Sequence, residues 1–451
     1  MTLFFRSSLG RPASLAALMA MAVGCGEDAT SDPAPAGGEA AVPDSGAVGG
    51  AAAGGATAGG AVSGGVAADA GPGGAPFLDM GPSGGATPPP PEGGEFTIEV
   101  LHEERVTLSP AGVSPDVTFD VPEDAVAFTI FGLGERPTDY FVVEHLENAE
   151  GEAFVTEDPG VPAGPFDQFL SPWPGQFRSP NRAAPSEAMA TLLFPNNPEL
   201  AVTPGRWTLR VASLDPNSGR PGGGEVLVSV RVKRAAQPPQ RGVLKLNLYF
   251  TGARGWTADT ALQDPDFNAA LDRMREFYEP IGIDVVPASF TDIPNEYATI
   301  DSFMAEAGNE LAEMFALGET DQGVNLFFVD RFGGQFGGQI GGIAGAVPGP
   351  SGALLGGTPR SGVAVGTSIA PDPRSIGHVM GHETGHYLGL FHTSEIFAQG
   401  VNDPIPDTPQ GQQGTSNLMY PTVTPEDAEL SPQQGTIVRG NPTILPTEVT
   451  P

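Results

Sequence analysis

Short runs of alternating apolar and polar residues dominate the chain from Glu95 to about residue 235. The runs are rich in β-branched and aromatic residues, and Gly, Pro and Asp separate them, as is typical of strands. They are FTIEVLHEERVTL, VTFDVP, AVAFTIFGL, YFVVEHLE, RWTLRVAS and EVLVSVRVKR. Because no helical stretch lies between them, they predict an antiparallel β-sandwich over residues 95–235. The last two runs are predicted to form its closing hairpin.

A different pattern follows residues 235–240, AAQPPQ, which are predicted to be a linker. Strands are predicted at 243–252, 283–287 and 324–329, and helical spacing is present at 302–317. One helical face is formed by Phe267, Ala270, Leu271, Met274, Phe277 and Tyr278. Strands that alternate with helices predict an α/β sheet in a second domain, residues 241–451.

The start of the chain has no pattern of a packed core. Residues 26–94 consist mainly of Gly, Ala, Pro, Ser and acids, and so few large apolar side chains predict a disordered tether. Residues 1–25 combine Arg6 and Arg11 with an apolar stretch that is too short to span a bilayer, as in an export signal. They end at Cys25 after small residues, which resembles a bacterial lipobox and implies a lipid on the Cys25 thiol. The alternative is an ordinary signal peptide with an incidental cysteine.

The charge and the cysteine content narrow the class of protein. The formal net charge is −33, so nucleic acid is excluded as a partner because its phosphates would be repelled. Adhesion to anionic lipid by charge is excluded for the same reason, which leaves the lipid anchor as the only predicted membrane contact. The single cysteine allows no disulfide within the chain and no thiolate metal site in the body. We therefore predict an exported protein of a bacterial envelope, an outer-membrane lipoprotein or a protein of the cell surface.

The candidate chemistry lies in the stretch His382-Glu383-Thr384-Gly385-His386-Tyr387-Leu388-Gly389-Leu390-Phe391-His392. His382 and His386 lie one helical turn apart on the same face, so both imidazoles can reach one ion. Gly389 permits the turn that brings His392 round as third ligand. Three protein ligands leave one position open for water, which is the arrangement of a catalytic zinc site. Glu383 faces the same cleft and can accept a proton from a zinc-bound water.

This stretch matches the extended motif HExxHxxGxxH, and the chain therefore resembles the metzincin zinc peptidases. The resemblance implies a split α/β, or α+β, catalytic domain over residues 241–451. It also implies a Met-turn beneath the metal, for which Met419 in Asn417-Leu418-Met419-Tyr420-Pro421 fits; the alternative is an ordinary core methionine. Asp403-Pro404-Ile405-Pro406-Asp407-Thr408-Pro409 and the ending LSPQQGTIVRGNP are most similar to the pappalysin-like group. Cysteines of that group are absent here, and Pro421 stands where the group has tyrosine.

Two further ligand hypotheses follow from the same region. The likeness to the pappalysin-like group implies Ca²⁺ binding by Asp403 and Thr408, with a proline-stiffened turn and solvated acids as the alternative. His378 lies one turn before His382, but the family pattern does not use it as a ligand. Asp372 and Pro373 are predicted to be the N-cap and first residue of the zinc helix. The Gly-rich stretch 333–357 is either a flexible surface loop or carries a rim strand at Ile343–Val347 that pairs with substrate.

Two hypotheses about function result. The first is a metalloendopeptidase that hydrolyses protein or peptide substrates with Zn²⁺, Glu383 as general base and the zinc-bound water as nucleophile. The second is an envelope lipoprotein that acts as a binding module and carries an inactive peptidase-like domain. The predicted β-sandwich carries no motif for chemistry, so it is expected to bind or to space rather than to serve as a folded pro-domain.

Overall fold

The structure is a computed structural model, and it describes residues 96–160, 172–303, 309–318, 322–334, 340–350, 357–368, 372–395, 401–422 and 428–447. The predicted export signal, Cys25 and the predicted tether all lie outside these residues. We refer to residues 96–235 as the N-terminal half and to residues 242–447 as the C-terminal half.

The strands of the N-terminal half are β1 (Phe96–Thr107), β2 (Val117–Val121), β3 (Ala125–Gly134), β4 (Tyr140–Glu147), β5 (Ala153–Val155), β6 (Ser186–Glu187), β7 (Met189–Phe194), β8 (Gly205–Asp215), β9 (Arg220–Pro221) and β10 (Glu225–Ala235). Those of the C-terminal half are β11 (Gly242–Phe250), β12 (Ile283–Asp292), β13 (Thr299–Ile300), β14 (Val324–Val329), β15 (Arg331–Phe332), β16 (Gly342–Ala344) and β17 (Val363–Gly366). The helices are α1 (Pro174–Arg178), α2 (Pro265–Tyr278), α3 (Glu310–Phe315), α4 (Pro373–Tyr387) and α5 (Pro432–Gly440).

Two antiparallel sheets make up the N-terminal half. One has the strand order β1-β10-β3-β7, and the other runs β2-β8-β4-β5 with β6 beside β4 and β9 beside β8. Strand β2 alternates strictly between buried and exposed positions, as its sequence predicts. Apolar side chains of both sheets join one core, in which Phe128 and Trp207 lie edge to face at 5.2 Å.

The prediction that the last two long strands of this half form a closing hairpin is wrong. Strands β8 and β10 belong to different sheets: β8 pairs with β2 and β4, whereas β10 pairs with β1 and β3. The chain after β8 first adds the short strand β9 to the same sheet and then crosses to the other one. Alternation identifies a strand and its buried face, but it does not identify the sheet in which the strand pairs.

The C-terminal half contains a five-stranded sheet in the order β12-β11-β14-β17-β16. Strands β12, β11, β14 and β17 are parallel, and β16 joins the edge antiparallel to β17. The helical face predicted from spacing is confirmed in α2, whose six apolar residues are at most 1% exposed. Helix α2 packs beside α4, and the Tyr278 hydroxyl donates to the Gly381 carbonyl oxygen at 2.8 Å.

Two predicted segments of this half are shorter in the structure. The helix expected over 302–317 is formed at Glu310–Phe315, where the Asn309 side chain caps it by accepting from the amide of Ala312. In the Gly-rich stretch 333–357 a strand is present at the sheet edge, but it is β16 at Gly342–Ala344. Residues 340–350 are buried, so this part of the stretch is not an exposed loop.

The two halves pack against each other. Ala127 and Leu193 of the N-terminal half belong to the apolar cluster that contains α2 and α4. Buried polar contacts also join the halves. The Lys233 ammonium donates to the carbonyl oxygens of Arg439 and Ile444, at 2.8 Å each. The described residues thus form a mixed, sheet-rich α+β structure with few helices, and none of those helices has the length and apolar character needed to cross a bilayer.

Candidate metal centre

Three imidazoles converge at the C-terminal end of α4. His382 and His386 lie on α4 one turn apart, and their ring centroids are 4.7 Å from each other. His392 follows the helix, with its ring centroid 5.3 Å from that of His382 and 4.6 Å from that of His386. We call these three residues the histidine cluster. Within the described ranges it is the one group of three or more His, Cys, Asp or Glu side chains close enough to hold an ion.

The backbone after α4 turns sharply, as the sequence predicts from Gly389. Gly389 has φ of 101°, a conformation that residues with a Cβ rarely adopt. The amide of Leu390 donates to the carbonyl of Gly385 at 3.0 Å, and that of Gly389 to His386 at 2.9 Å. These two bonds are a Schellman motif, which satisfies the last carbonyls of the helix. The turn therefore brings His392 back toward the helix face that carries the other two imidazoles.

The Nδ1 atom of each histidine lies within hydrogen-bonding distance of an oxygen atom. His382 Nδ1 is 2.7 Å from the Leu418 carbonyl, and His386 Nδ1 is 2.7 Å from the Leu390 carbonyl. His392 Nδ1 is 3.2 Å from a carboxylate oxygen of Glu395. Because a carbonyl or carboxylate oxygen only accepts, each Nδ1 carries the proton. Every Nε2 therefore presents a lone pair, which is the form in which histidine binds a metal.

The arrangement of the Nε2 atoms fits a bound cation. His386 Nε2 and His392 Nε2 are 3.1 Å apart, so their lone pairs face each other. Two nitrogens bound to one tetrahedral zinc at about 2.0–2.1 Å would lie about 3.3 Å apart. His382 Nε2 is buried and has no hydrogen-bond partner in the described structure. A divalent ion among the three atoms would remove the repulsion and satisfy that nitrogen.

Burial favours the neutral form of His382 and His386. The three imidazoles are at most 2% exposed. Burial lowers the pKa of His382 and of His386 well below the ordinary value of 6.5, and the neighbouring imidazoles lower it further. A proton shared among the rings would place a charge where water is excluded.

Glu383 is fully buried next to His382 on α4. The edge strand β16 lies directly against it, because a Cβ added to Gly342 would be 2.5 Å from Glu383 Cγ and 2.7 Å from Val379 Cγ1. Glycine at this position therefore allows the strand to approach the helix at the glutamate. Glu383, the predicted general base, thus lies on the side of α4 that faces the edge strand β16.

Met419, the predicted Met-turn residue, packs against α4 beside the histidine cluster. It is fully buried, and its sulfur would be 2.5 Å from a Cβ added to Gly385, which lies between His382 and His386 on α4. Asn417 shapes the turn, because its side-chain oxygen accepts from the Met419 amide at 2.9 Å. The same turn supplies the Leu418 carbonyl that orients His382.

Two residues next to the cluster were not predicted from the sequence. Glu395 accepts from His392 and forms an ion pair with Arg182 of the N-terminal half, with 3.6 Å between the closest atoms. The spacing of Glu395, three residues after His392, is the one sequence signal that could have indicated its role. No local pattern indicates Arg182, which precedes its other partner, Asn402, by 220 residues.

The other predicted site residues are not part of the cluster. Asp403 is buried, and the Thr408 hydroxyl donates to one of its carboxylate oxygens at 2.6 Å. Burial raises the pKa of Asp403 to about 6, against the lowering effect of the Thr408 hydrogen bond and of Arg182. The pair forms a closed turn, and the calcium site stays a prediction. His378 is buried against the Phe277 ring at 5.3 Å, outside the cluster.

Comparisons with known proteins show that part of this chain is similar to metalloproteases. No family model matches the chain. It is 33% identical over 166 residues to an extracellular metalloprotease of Colletotrichum graminicola, covering 35% of this chain and 52% of that protein. It is 28% identical over 169 residues to extracellular metalloprotease 1 of Coccidioides posadasii, covering 36% of this chain and 54% of that protein. The chain thus spans about half the length of these curated relatives.

A solved structure, metalloproteinase-II from Bacteroides fragilis, aligns with 46% of this chain and 60% of its own at 14% identity, with a TM-score of 0.27. That score is too low to establish a common fold.

Proposed function

We propose that this protein is an exported, zinc-dependent endopeptidase of the metzincin type. The HExxHxxGxxH motif, the geometry of the histidine cluster and the likeness to proteins named extracellular metalloprotease support the same activity. The names of those relatives also support export and a protein or peptide substrate.

The observation that carries the proposal is the orientation of the three imidazoles. Each Nδ1 is committed to an oxygen acceptor, and the three Nε2 atoms converge. A buried structural histidine would ordinarily use both nitrogens in hydrogen bonds. Three ligands with the Nε2 atoms directed to one point leave a position open for catalysis.

The residues around the cluster have distinct roles in the proposed reaction. Zinc, when bound, supplies Lewis acidity that polarises the substrate carbonyl and makes water more acidic. Glu383 accepts the proton from the attacking water and delivers it to the leaving amine. Substrate aligns as an added antiparallel strand beside β16, which is the edge strand of the five-stranded sheet and lies against Glu383. Met419 provides an apolar floor below the imidazoles.

The proposal also includes the domain architecture of the protein and its location in the cell. The two antiparallel sheets that share a core are proposed to be a β-sandwich, and the C-terminal half is proposed to be a metzincin-like catalytic domain. A lipid on Cys25 would hold the protein at a bacterial envelope through the tether at 26–94. Mass spectrometry of the protein from its membrane fraction tests the anchor, because a diacylglycerol group on Cys25 changes the mass of the N-terminal peptide.

The activity is tested by the zinc content of the purified chain and by cleavage of a mixed peptide library. We expect about one zinc per chain and endopeptidase cleavage that ends when a chelator removes the metal and returns when zinc is added. Glu383→Gln should keep zinc, because the three ligands remain, and should lose about 10²–10⁴ in kcat because it cannot take up a proton. Glu279→Gln, a change of the same chemistry at the C-terminal end of α2, is the matched control and should behave as wild type.

Two outcomes would contradict the proposal. A wild-type protein that takes up no zinc and cleaves no peptide would favour a binding protein with an inactive peptidase-like domain. Equal cleavage by wild type and Glu383→Gln would show that Glu383 is not the general base.

A further inference from the structure

An arginine of the N-terminal half is buried against the loop that carries the third histidine. The Arg182 side chain is 6% exposed and lies between two aromatic rings, 4.3 Å from the centroid of Phe177 and 4.9 Å from that of Phe391. Phe391 immediately precedes His392. The guanidinium also donates to the carbonyl oxygen of Asn402. One cation of the N-terminal half thus contacts residues that precede and follow His392 in the sequence.

The backbone around Arg182 is held firmly in its own half. The Arg182 amide donates to the side-chain oxygen of Asn196 at 3.0 Å, and the Asn196 side-chain nitrogen donates to the Arg182 carbonyl at 2.7 Å. Asn181 repeats the arrangement, because its side chain accepts from the Asn196 amide at 2.8 Å and donates to the Leu193 carbonyl at 3.0 Å. All of these groups are buried, so the backbone position of Arg182 is fixed.

Glu395 connects this arginine to the histidine cluster. Its carboxylate is 8% exposed, and one oxygen accepts from His392 Nδ1 at 3.2 Å. The other oxygen lies 3.6 Å from the Arg182 guanidinium, an ion pair rather than a hydrogen bond. A carboxylate taken out of water needs a nearby cation to stay ionised at low cost. Arg182 is the cation that forms an ion pair with Glu395 in the described structure.

We propose that Arg182 is a positioning residue for the metal centre, acting through Glu395 on His392. Arg182 holds the carboxylate of Glu395 in place, and the carboxylate fixes the ring orientation of His392 and makes its Nε2 a better donor. The N-terminal half therefore completes the metal centre and is more than a spacer or a separate binding module. This inference rests on the proposed function, since it requires His392 to be a metal ligand.

The test uses the full chain and measures zinc affinity rather than activity alone. Partners of metal-binding histidines usually change metal affinity by about 10–100-fold when they are removed. We expect Arg182→Met to weaken zinc binding by about that factor, measured by competition with a chromophoric chelator. The absorption bands of the Co²⁺-substituted protein should also shift, because the orientation of His392 changes.

Arg360→Met is the matched control. Arg360 is a buried arginine that likewise joins the two halves, through the Glu187 carboxylate and, at 3.1 Å, the Glu187 carbonyl oxygen. Among the described residues it forms no hydrogen bond or ion pair with a histidine. Both variants should lower Tm, because each removes one partner of a buried ion pair. Only Arg182→Met should alter zinc affinity and the Co²⁺ spectrum.

Glu395→Gln keeps the test decisive if Arg182→Met does not fold. This variant retains an oxygen that can accept from His392 but replaces the carboxylate by a neutral amide, so it should bind zinc about tenfold more weakly. Adding Arg182→Met to Glu395→Gln should then cause little further loss of affinity, because the charge that Arg182 balances is already gone.

Three results would overturn the inference while leaving the proposed function intact: wild-type zinc affinity in Arg182→Met, wild-type affinity in Glu395→Gln, or an equal loss of affinity in Arg360→Met. Higher peptidase activity in Arg182→Met at unchanged zinc affinity would also overturn it, in favour of an N-terminal half that covers the site. A wild-type chain that binds no zinc would instead overturn the proposed function, and the inference with it.

Discussion

Gly385 and Met419, next to the histidine cluster, are complementary in size. The glycine lies inside α4, where it destabilises the helix relative to alanine by about 1 kcal/mol. The Met419 sulfur would be 2.5 Å from a Cβ at this position, between His382 and His386 on the helix. The missing methyl group of Gly385 thus makes room for the floor of the site.

We expect Gly385→Ala to lower the free energy of unfolding by about 1–3 kcal/mol, because the added Cβ would lie 2.5 Å from the Met419 sulfur. Met419→Ala alone should cost about 2–5 kcal/mol by leaving a cavity. In the double variant the two losses should be less than additive, because the shortened side chain removes the clash. Urea denaturation of the four proteins measures this coupling.

Gly223→Ala is the control for the glycine substitution. A Cβ at Gly223 meets no atom within 4 Å, and its backbone is not in the left-handed region, so the change should stay within about 0.5 kcal/mol. Strictly additive losses in the Gly385 and Met419 pair would show that the two side chains do not compete for space.

The positions of His382, His386 and Gly389 follow from the sequence, because a helix fixes the geometry of i and i+4 and a left-handed residue ends it. The oxygen atoms that orient the rings do not follow from it. The carbonyls of Leu390 and Leu418 belong to backbone that carries no side-chain signal. Arg182 depends on the packing of two halves, which no local pattern encodes.

Among the helices, α4 is the one whose start was predicted to the residue. Asp372 is its N-cap, with a carboxylate oxygen that accepts from the Ser375 amide at 3.0 Å, and Pro373 is the first helical residue. The hydrogen bond from the Ser375 hydroxyl, followed by those from backbone amides, holds the pKa of Asp372 below its ordinary value of 3.8. The cap therefore stabilises the folded protein above the unfolded-state pKa, and this contribution is lost as pH falls through the lower folded pKa.

Asp372→Ala should reduce the free energy of unfolding by about 1 kcal/mol at pH 7. The difference from wild type should narrow as pH falls below 3.8, because the unfolded chain then takes up a proton at Asp372 and the folded carboxylate follows at its lower pKa. Asp372→Asn is the matched variant, because it retains a capping oxygen but cannot titrate. Urea denaturation at both pH values checks the prediction, and a difference that does not change with pH would contradict it.

Helix α2 and strand β8 mark the limit of prediction at the level of elements. The apolar face of α2 has one possible period, and the structure buries all six of its residues. Strand β8 has an equally clear alternation, but its partners lie far away in the chain. Its pairing with β2 and β4, rather than with β10, is decided by how two sheets pack and not by the residues of the strand.

At the scale of the whole molecule, the two halves are packed as parts of one body. Leu193 of β7 is fully buried in the cluster that contains α4, and its Cδ2 would be 2.7 Å from a Cβ at Gly389. The turn that positions His392 is thus packed against the N-terminal half. Loss of either half would expose apolar surface of the other.

We expect both halves to unfold in one transition. Trp207 reports on the N-terminal half and Trp256 on the C-terminal half, and both are buried. Fluorescence of two variants, each with a single one of these tryptophans, should give coincident denaturation curves. Leu193→Ala should shift both curves together, by about 2–5 kcal/mol, whereas Leu262→Ala at an exposed position should shift neither. Curves with separate midpoints would show that the halves unfold independently.

The burial of the histidine cluster has a kinetic consequence. With all three rings at most 2% exposed, a chelator in solution cannot contact the Nε2 atoms in this conformation. It can take their place on the metal only after the surrounding chain opens. The rate of zinc release to a strong chelator should therefore reach a ceiling as the chelator concentration rises.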